Sequence, residues 1–190
     1  MVHPRRLAPL PSDGNMLCDP GCQSPKVTAA MSDAMPSLVS RGYFAIGAER
    51  MSKSLNLGNL MRSAHGFGAH FTFTVGATYA ALEARADTSK GQWHLPHYNW
   101  PTLSDMALPV GCKLVGIELT DEAIELPRFH HPLRAAYVLG PEMGSLSPEL
   151  LKRCDTVVKI PTSFCINVAM AGAIVMYDRI RSRSLAPRLP

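Results

Sequence analysis

Residues 135–178, AAYVLGPEMGSLSPELLKRCDTVVKIPTSFCINVAMAGAIVMYD, constrain the fold more tightly than any other stretch of the chain. Ala135–Leu139 is a short apolar run stopped by Gly140-Pro141, the pattern of a buried strand. Ser147-Pro148-Glu149 then opens a helix, with serine as N-cap and proline at the first helical position. Thr156–Ile160 is rich in β-branched residues and ends at Pro161, a second strand. From about Ser163 small residues (Ala169, Ala171, Gly172, Ala173) lead into Ile174–Tyr177 and a basic end. Small side chains at helical spacing let another backbone or a flat ligand come close. Strand, helix, strand and helix in that order set two strand ends side by side, and the carboxyl edge of such strands is the usual ligand site.

The earlier chain repeats the alternation. Tyr43–Ala48 reads as the first strand, and SKSLNLGNLMRSAHGFG (52–68) as a helix. Asn56 is the expected cap of that helix, Leu57, Leu60, Met61 and Ala64 its apolar face, and Gly66 and Gly68 its end. Phe71–Val75 is a second strand and Thr78–Ala86 a second helix. Residues 87–100, with Trp93, His94, His97, Tyr98 and Trp100, read as a proline-broken surface loop, anchored by its aromatics or offering them for stacking on bases. Leu103–Leu108 is expected as a short helix and Lys113–Leu119 as a third strand. The class is α/β with a largely parallel sheet. Residues 1–40 hold six prolines and no sustained period, so the expectation there is a mobile tail. Residues 41–184 form the folded domain and 185–190 a basic tail.

An apolar fraction of 46% and a charged fraction of 18% are those of a globular protein. No apolar run approaches the roughly 20 residues that span a bilayer, and no apolar segment follows Arg5 and Arg6 as a signal peptide requires. The expected compartment is the cytoplasm, with no membrane partner. An odd count of five cysteines (Cys18, Cys22, Cys112, Cys154, Cys165) argues for free thiols, and no second ligand pair completes Cys18-x-x-x-Cys22 into a metal site. A net charge of +4 permits an anionic partner. Its placement says more, because Arg179, Arg181, Arg183 and Arg188 crowd the C-terminus and Arg128, His130, His131 and Arg134 one loop. Those groups suit either nucleic-acid contact or plain solvation of a surface and a helix end.

Three stretches in order resemble the SpoU branch of the SPOUT superfamily, the knotted RNA methyltransferases. Asn56-Leu-Gly58-Asn-Leu-Met-Arg62 is similar to the family's N-x-G-x-x-x-R, and Leu139-Gly140-Pro-Glu142 to its G-x-E block. Ile160-Pro161 followed by Cys165-Ile166-Asn167-Val168 is similar to its I-P…S-L-N-V block. The likeness covers about residues 42–184. It implies a fold in which the C-terminal segment, roughly 114–178, passes through a loop as a deep trefoil knot, against the general rule for chains. It also implies S-adenosylmethionine as cofactor, and a homodimer paired through the first and last helices with both protomers at the active site.

By this resemblance Arg62, Asn56, Glu142 and Asn167 are the catalytic candidates, and Leu119, Gly140, Ile160, Cys165 and Ile166 the cofactor wall, mostly through backbone atoms. Arg62 is the family residue proposed to receive or direct the proton of a ribose 2′-hydroxyl. A guanidinium offers no lone pair, so fixing a phosphate is its easier role. Glu142 is placed to hold Arg62 or to cap nearby backbone N–H groups, and Asn167 to cap the last helix or orient substrate. Cys165 stands where the family commonly has serine, and Ser145 where it commonly has glycine. The expected function is RNA ribose 2′-O-methylation, transfer RNA being the favoured substrate. Ribosomal RNA, or RNA binding without turnover, are the alternatives. An ordinary nucleotide-binding module lacks its phosphate loop, since neither G-x-x-x-x-G-K-S/T nor G-x-G-x-x-G occurs.

Overall fold

The computed structural model describes residues 42–78 and 94–185. Seven strands form one sheet among these residues: β1 (Tyr43–Glu49), β2 (Phe71–Val75), β3 (His97–Trp100), β4 (Lys113–Ile117), β5 (Ile124–Glu125), β6 (Arg134–Leu139) and β7 (Thr156–Lys159). Their order is β3-β2-β1-β6-β4-β7-β5, and the described pairings are parallel. Three helices accompany them, α1 (Ser54–Gly66), α2 (Pro148–Arg153) and α3 (Val168–Leu185). The expected tail 1–40, all but the first residue of the expected helix 78–86, Trp93 and all but the first residue of the tail 185–190 lie outside the described residues.

A parallel sheet covered on both faces needs strands that are apolar on both sides. The two central strands comply, with Phe44 through Glu49 of β1 and Ala135 through Leu139 of β6 all buried. Phe44, Ile46 and Ala48 face α1 and α3, where Leu57, Leu60, Met61, Val175 and Met176 complete one half of the core. Ala45, Phe73, Ala136 and Val138 face the other way, against Leu146, Leu150 and Met106. Gly47 is required where it stands, because a Cβ there would lie 2.2 Å from the Phe73 carbonyl oxygen. Among the small residues of α3, Gly172 admits a second helix. A Cβ on Gly172 would meet Leu60 Cδ1 of α1 at 2.4 Å.

Several expectations need correction. Residues 97–100 are the edge strand β3, not loop. Pro96 and Pro101 hide it in the sequence, but its aromatics pack on β2, with Tyr98 edge-on to Phe71 and Trp100 against Phe73. Leu103–Leu108 makes one 3-10 turn, Leu103–Asp105, and stops. The Arg153 guanidinium takes the carbonyls of Leu103 and Met106, and Met106 is already extended. The two basic clusters are partly interior. Arg179 is 3% exposed and donates to the carbonyls of Tyr43, Pro132 and Leu133 and to the Tyr137 hydroxyl. His131 is buried between the Tyr137 hydroxyl and the Asp178 carboxylate.

The strand β5 was not foreseen. It is two residues long, and its Ile124 pairs with Val158 of β7, which pairs on its other side with Ile117 of β4. The loop 118–123 therefore arches past β7, and the Lys159 ammonium ties it down by donating to the carbonyls of Thr120 and Asp121.

Candidate active site

The carboxyl ends of β4, β6 and β7 meet the N-terminal ends of α1 and α3. A cavity of about 390 Å³ lies between them, within the usual range for small-molecule pockets. Ile117, Glu118 and Leu119 reach it from β4, Leu139 through Glu142 and Gly144 from β6, and Ile160, Thr162 and Cys165 through Val168 from β7 and its loop. Lys53 and Asn56 contribute from α1 and Ala171 from α3. The structure thus gathers Asn56, Leu119, Gly140, Glu142, Ile160, Cys165, Ile166 and Asn167 around one space. Arg62 stands farther along α1, exposed and outside the lining.

Asn56 is not the cap of α1. Lys53 occupies the N-cap position without a side-chain hydrogen bond, and the helix starts at Ser54. The cap is supplied from the distant β6 loop. Glu142 accepts hydrogen bonds from the Ser52 and Lys53 amides at 2.9 and 3.0 Å, from Ser52 Oγ at 3.0 Å and from Asn56 Nδ2 at 3.1 Å. A carboxylate there satisfies the two amides that lead into the helix and suits the positive end of its dipole. Burial pushes the Glu142 carboxyl up, but the hydrogen bonds from Ser52 and Asn56 together hold it below its ordinary range.

Asn56 is buried, and its Oδ1 accepts from Asn167 Nδ2 at 3.0 Å. Asn167 turns its own Oδ1 to the Ala169 and Met170 amides at 2.9 and 3.3 Å, an N-cap for α3. Glu142, Asn56 and Asn167 are therefore one chain of hydrogen bonds joining the starts of α1 and α3. Each amide has a single orientation that serves both neighbours.

A second set of charged residues, missed in the sequence, holds the loop 140–147. Arg50 Nη2 donates to the Ser145 carbonyl at 2.8 Å, Glu118 Oε2 accepts from the Leu146 amide at 2.8 Å, and Glu49 accepts from the Ser147 amide at 2.7 Å and from its hydroxyl. Three successive loop residues are thus gripped by three strand-end side chains. Glu49 is 4% exposed, and Arg50 carries a left-handed φ of 48°, unusual for a residue with a side chain. The available signal was an acidic residue at the end of an apolar strand, Glu49 as the last residue of β1 and Glu118 directly after β4. Among the described residues no group of three or more histidines, cysteines or acids is placed to hold a metal ion.

The pattern of the SpoU rRNA Methylase family matches residues 43–177, most of the chain and every strand of the sheet. The chain belongs to that family. Solved SpoU structures share its fold: AviRb of Streptomyces viridochromogenes in complex with AdoMet superposes with a TM-score of 0.67 at 23% identity, covering 76% of this chain and 59% of that one. The TrmH/SpoU tRNA modifying enzyme of A. aeolicus gives a TM-score of 0.61 at 18% identity, covering 74% of this chain and 75% of that one. In sequence, the chain is 25% identical over 153 residues to the mouse (Mus musculus) tRNA (guanosine(18)-2′-O)-methyltransferase TARBP1, 73% of this chain and 9% of that protein. It is 29% identical over 85 residues to the 23S rRNA (guanosine-2′-O-)-methyltransferase RlmB of Acinetobacter baylyi, 43% of this chain and 34% of RlmB. The chain therefore spans at most about a third of the length of these two relatives. The candidate site is the cavity at the carboxyl edge of β4, β6 and β7, beside the two hydrogen-bonded helix starts.

Proposed function

We propose that this SpoU protein is an S-adenosylmethionine-dependent RNA ribose 2′-O-methyltransferase with transfer RNA as its favoured substrate. The observation that carries the reading is the convergence of Asn56, Glu142 and Asn167 with the apolar wall Leu119, Ile160 and Ile166 on one cavity. The residues fit the cofactor. The wall offers flat apolar contact to an adenine, and Gly140 lets a ligand approach the backbone closely. Cys165 lies on the same wall with a thiol where a hydroxyl would donate more strongly. The cofactor supplies an electrophilic methyl on a sulfonium, and the protein must bring a ribose hydroxyl into line with it.

The chain's own groups divide that work. Glu142 already accepts four hydrogen bonds and is held ionised, so it organises the helix starts rather than taking the hydroxyl proton. Arg62 binds a phosphate of the target nucleotide and so directs the hydroxyl. In a homodimer paired through α1 and α3, Arg62 of a second copy reaches the cavity that it does not line within its own chain. Exposed apolar side chains support that pairing, Leu55 on α1 and Met170, Tyr177 and Ile180 on one side of α3. A knot belongs to the same reading. Its support is that β7 runs between β4 and β5, two strands joined by the short loop 118–123, before the chain returns to α3. The proposed compartment is the cytoplasm, which suits an odd number of thiols.

Ribosomal RNA is the second reading, favoured by the 23S rRNA activity in the name of the RlmB relative. Methyl transfer from labelled S-adenosylmethionine to total RNA from a host lacking the gene, fractionated by size and followed by nucleoside analysis, separates the readings. A labelled 2′-O-methylnucleoside in the transfer-RNA fraction is the expected result. Label in ribosomal RNA keeps the reaction and changes the substrate. No label in any fraction, with cofactor binding intact, leaves an RNA-binding protein.

A further inference from the structure

Three loops ring the mouth of the cavity, and each shows an apolar side chain to water. Leu119 after β4 is 39% exposed, Met143 after β6 is 86% exposed and Phe164 after β7 is 76% exposed. The interior of the same space is polar on one side, where Asn56, Glu142 and Asn167 bond to one another. Met143 sits between the lining residues Glu142 and Gly144, and Phe164 between the lining residues Thr162 and Cys165. Neither Met143 nor Phe164 lines the cavity itself; both stand on its rim.

Their display is built into the loops. Thr162 Oγ1 donates to the Phe164 carbonyl at 2.9 Å and closes a tight turn at this residue. Gly144 takes a φ of 93°, which side-chain-bearing residues rarely adopt, and turns the chain just after Met143. Exposed apolar side chains on the loops beside a polar pocket mark a surface that a ligand covers.

We propose that Phe164 and Met143 form the seat for the nucleobase of the nucleotide whose ribose enters the cavity. Phe164 stacks on one face of the base, and the thioether of Met143 packs against its edge. Every base has such a face, so this contact holds the nucleotide without reading its identity. The adenine of the cofactor has the same chemistry, and position separates the two. Leu119, Leu139, Ile160 and Ile166 wall the cavity itself, whereas Met143 and Phe164 lie outside that lining and are exposed. The inference rests on the methyl-transfer reading and names the part of the RNA that meets the rim.

The test uses the full chain and its Phe164→Ala, Phe164→Tyr and Met143→Ala variants. Phe164→Ala is expected to raise the RNA KM by about 5- to 100-fold, the range for one lost stack. The dissociation constant of S-adenosylmethionine, read by calorimetry, stays unchanged, and Phe164→Tyr recovers most of the loss. An unchanged RNA KM overturns the proposal. A matching loss of cofactor affinity also overturns it and assigns Phe164 to the adenine. Dissociation of a dimer by Phe164→Ala, seen in sedimentation, overturns it in favour of a contact between copies. Should the wild-type chain transfer no methyl group to any RNA, the methyl-transfer reading itself falls. Equilibrium RNA binding of wild type and Phe164→Ala then decides the seat: equal affinities refute it, and a loss in the variant sustains it.

Discussion

The Asn167 side chain donates to the Asn56 side chain at 3.0 Å, and through that bond the first turn of α1 and the first turn of α3 share one polar network. Asn56 passes the connection on to Glu142, so three residues far apart in sequence fix the relative places of two helices and the β6 loop. Neither asparagine can flip its amide without setting a donor against a donor.

Replacing Asn56 tests this network. Asn56→Ala leaves Asn167 Nδ2 without its Asn56 acceptor and takes from Glu142 Oε1 one of its two donors, the Lys53 amide remaining, at a cost of about 1–3 kcal/mol. Asn56→Asp sets a second carboxylate beside Glu142 and is expected to cost more at neutral pH than Asn56→Ala. Urea denaturation of the two variants checks the order. Equal stabilities at pH 7 would refute the network as drawn.

Glu142 gives the stability a definite acid dependence. Its folded pKa is held below 4.5, so the unfolded chain binds the proton first as pH falls. The stabilisation is fully present above 4.5 and is lost as pH drops through the folded value. The stability gap between wild type and Glu142→Gln is therefore expected to be constant from pH 8 to 6 and to shrink below about 4.5. A gap that persists unchanged into the acid range contradicts this assignment.

His97 acts in the same direction at higher pH. Burial lowers its pKa from 6.5 to about 4, and its ring meets Thr72 Oγ1 at 2.9 Å and Thr74 Oγ1 at 3.4 Å. A depressed pKa stabilises the fold above 6.5, and the benefit is lost between there and about 4. The loss amounts to at most about 3 kcal/mol for a shift of this size. In His97→Gln the slope of stability against pH between 6.5 and 4 should flatten. An undiminished slope would place the titrating group elsewhere.

Glu118 both lines the cavity and holds the loop 140–147 beside it. Glu118→Ala releases the Leu146 amide, and the expected result is a loss of S-adenosylmethionine affinity of roughly tenfold, the equivalent of about one hydrogen bond. The RNA KM at saturating cofactor should stay near wild type. Calorimetry with the cofactor alone reads the first quantity and steady-state kinetics the second.

Gly47→Ala tests the packing of the central strand. The added methyl would meet the Phe73 carbonyl oxygen, a backbone atom that cannot swing aside. Overpacking of this kind costs typically about 1–3 kcal/mol. A thermal midpoint unchanged from wild type would show that β1 and β2 part more easily than their register implies.

Where each residue's neighbours are local, the sequence was readable. Ser147-Pro148 announced α2, and Ser147 Oγ does accept from the Leu150 amide. The apolar runs of β1, β2, β4 and β6 announced themselves because strands buried on both faces must be apolar throughout. β3 was hidden because its stability comes from Phe71 and Phe73 on the next strand, and β5 because two residues carry no period. In the site, Asn56 looked like a local cap since capping is what asparagine most often does at such a position. Its real partners, Glu142 and Asn167, lie on other elements. Glu49, Arg50 and Glu118 escaped notice for the same reason: each grips a loop that no local pattern connects to it.

The pairing of Val158 with both Ile117 and Ile124 sets an order on the birth of the molecule. The ribosome releases β4 and β5 first, and the strand that separates them comes about 30 residues later. Until β7 arrives, those two segments have no hydrogen-bonded reason to stand two strand spacings, about 10 Å, apart. The wall that holds Leu119, and the Thr120 and Asp121 carbonyls that Lys159 secures, take their final shape only when β7 slides between them. A nascent chain halted before Thr156 carries Glu49, Glu118 and Glu142 but lacks Ile160, Thr162, Ile166 and Asn167, so ligand capture reports the arrival of β7 and the loop that follows it.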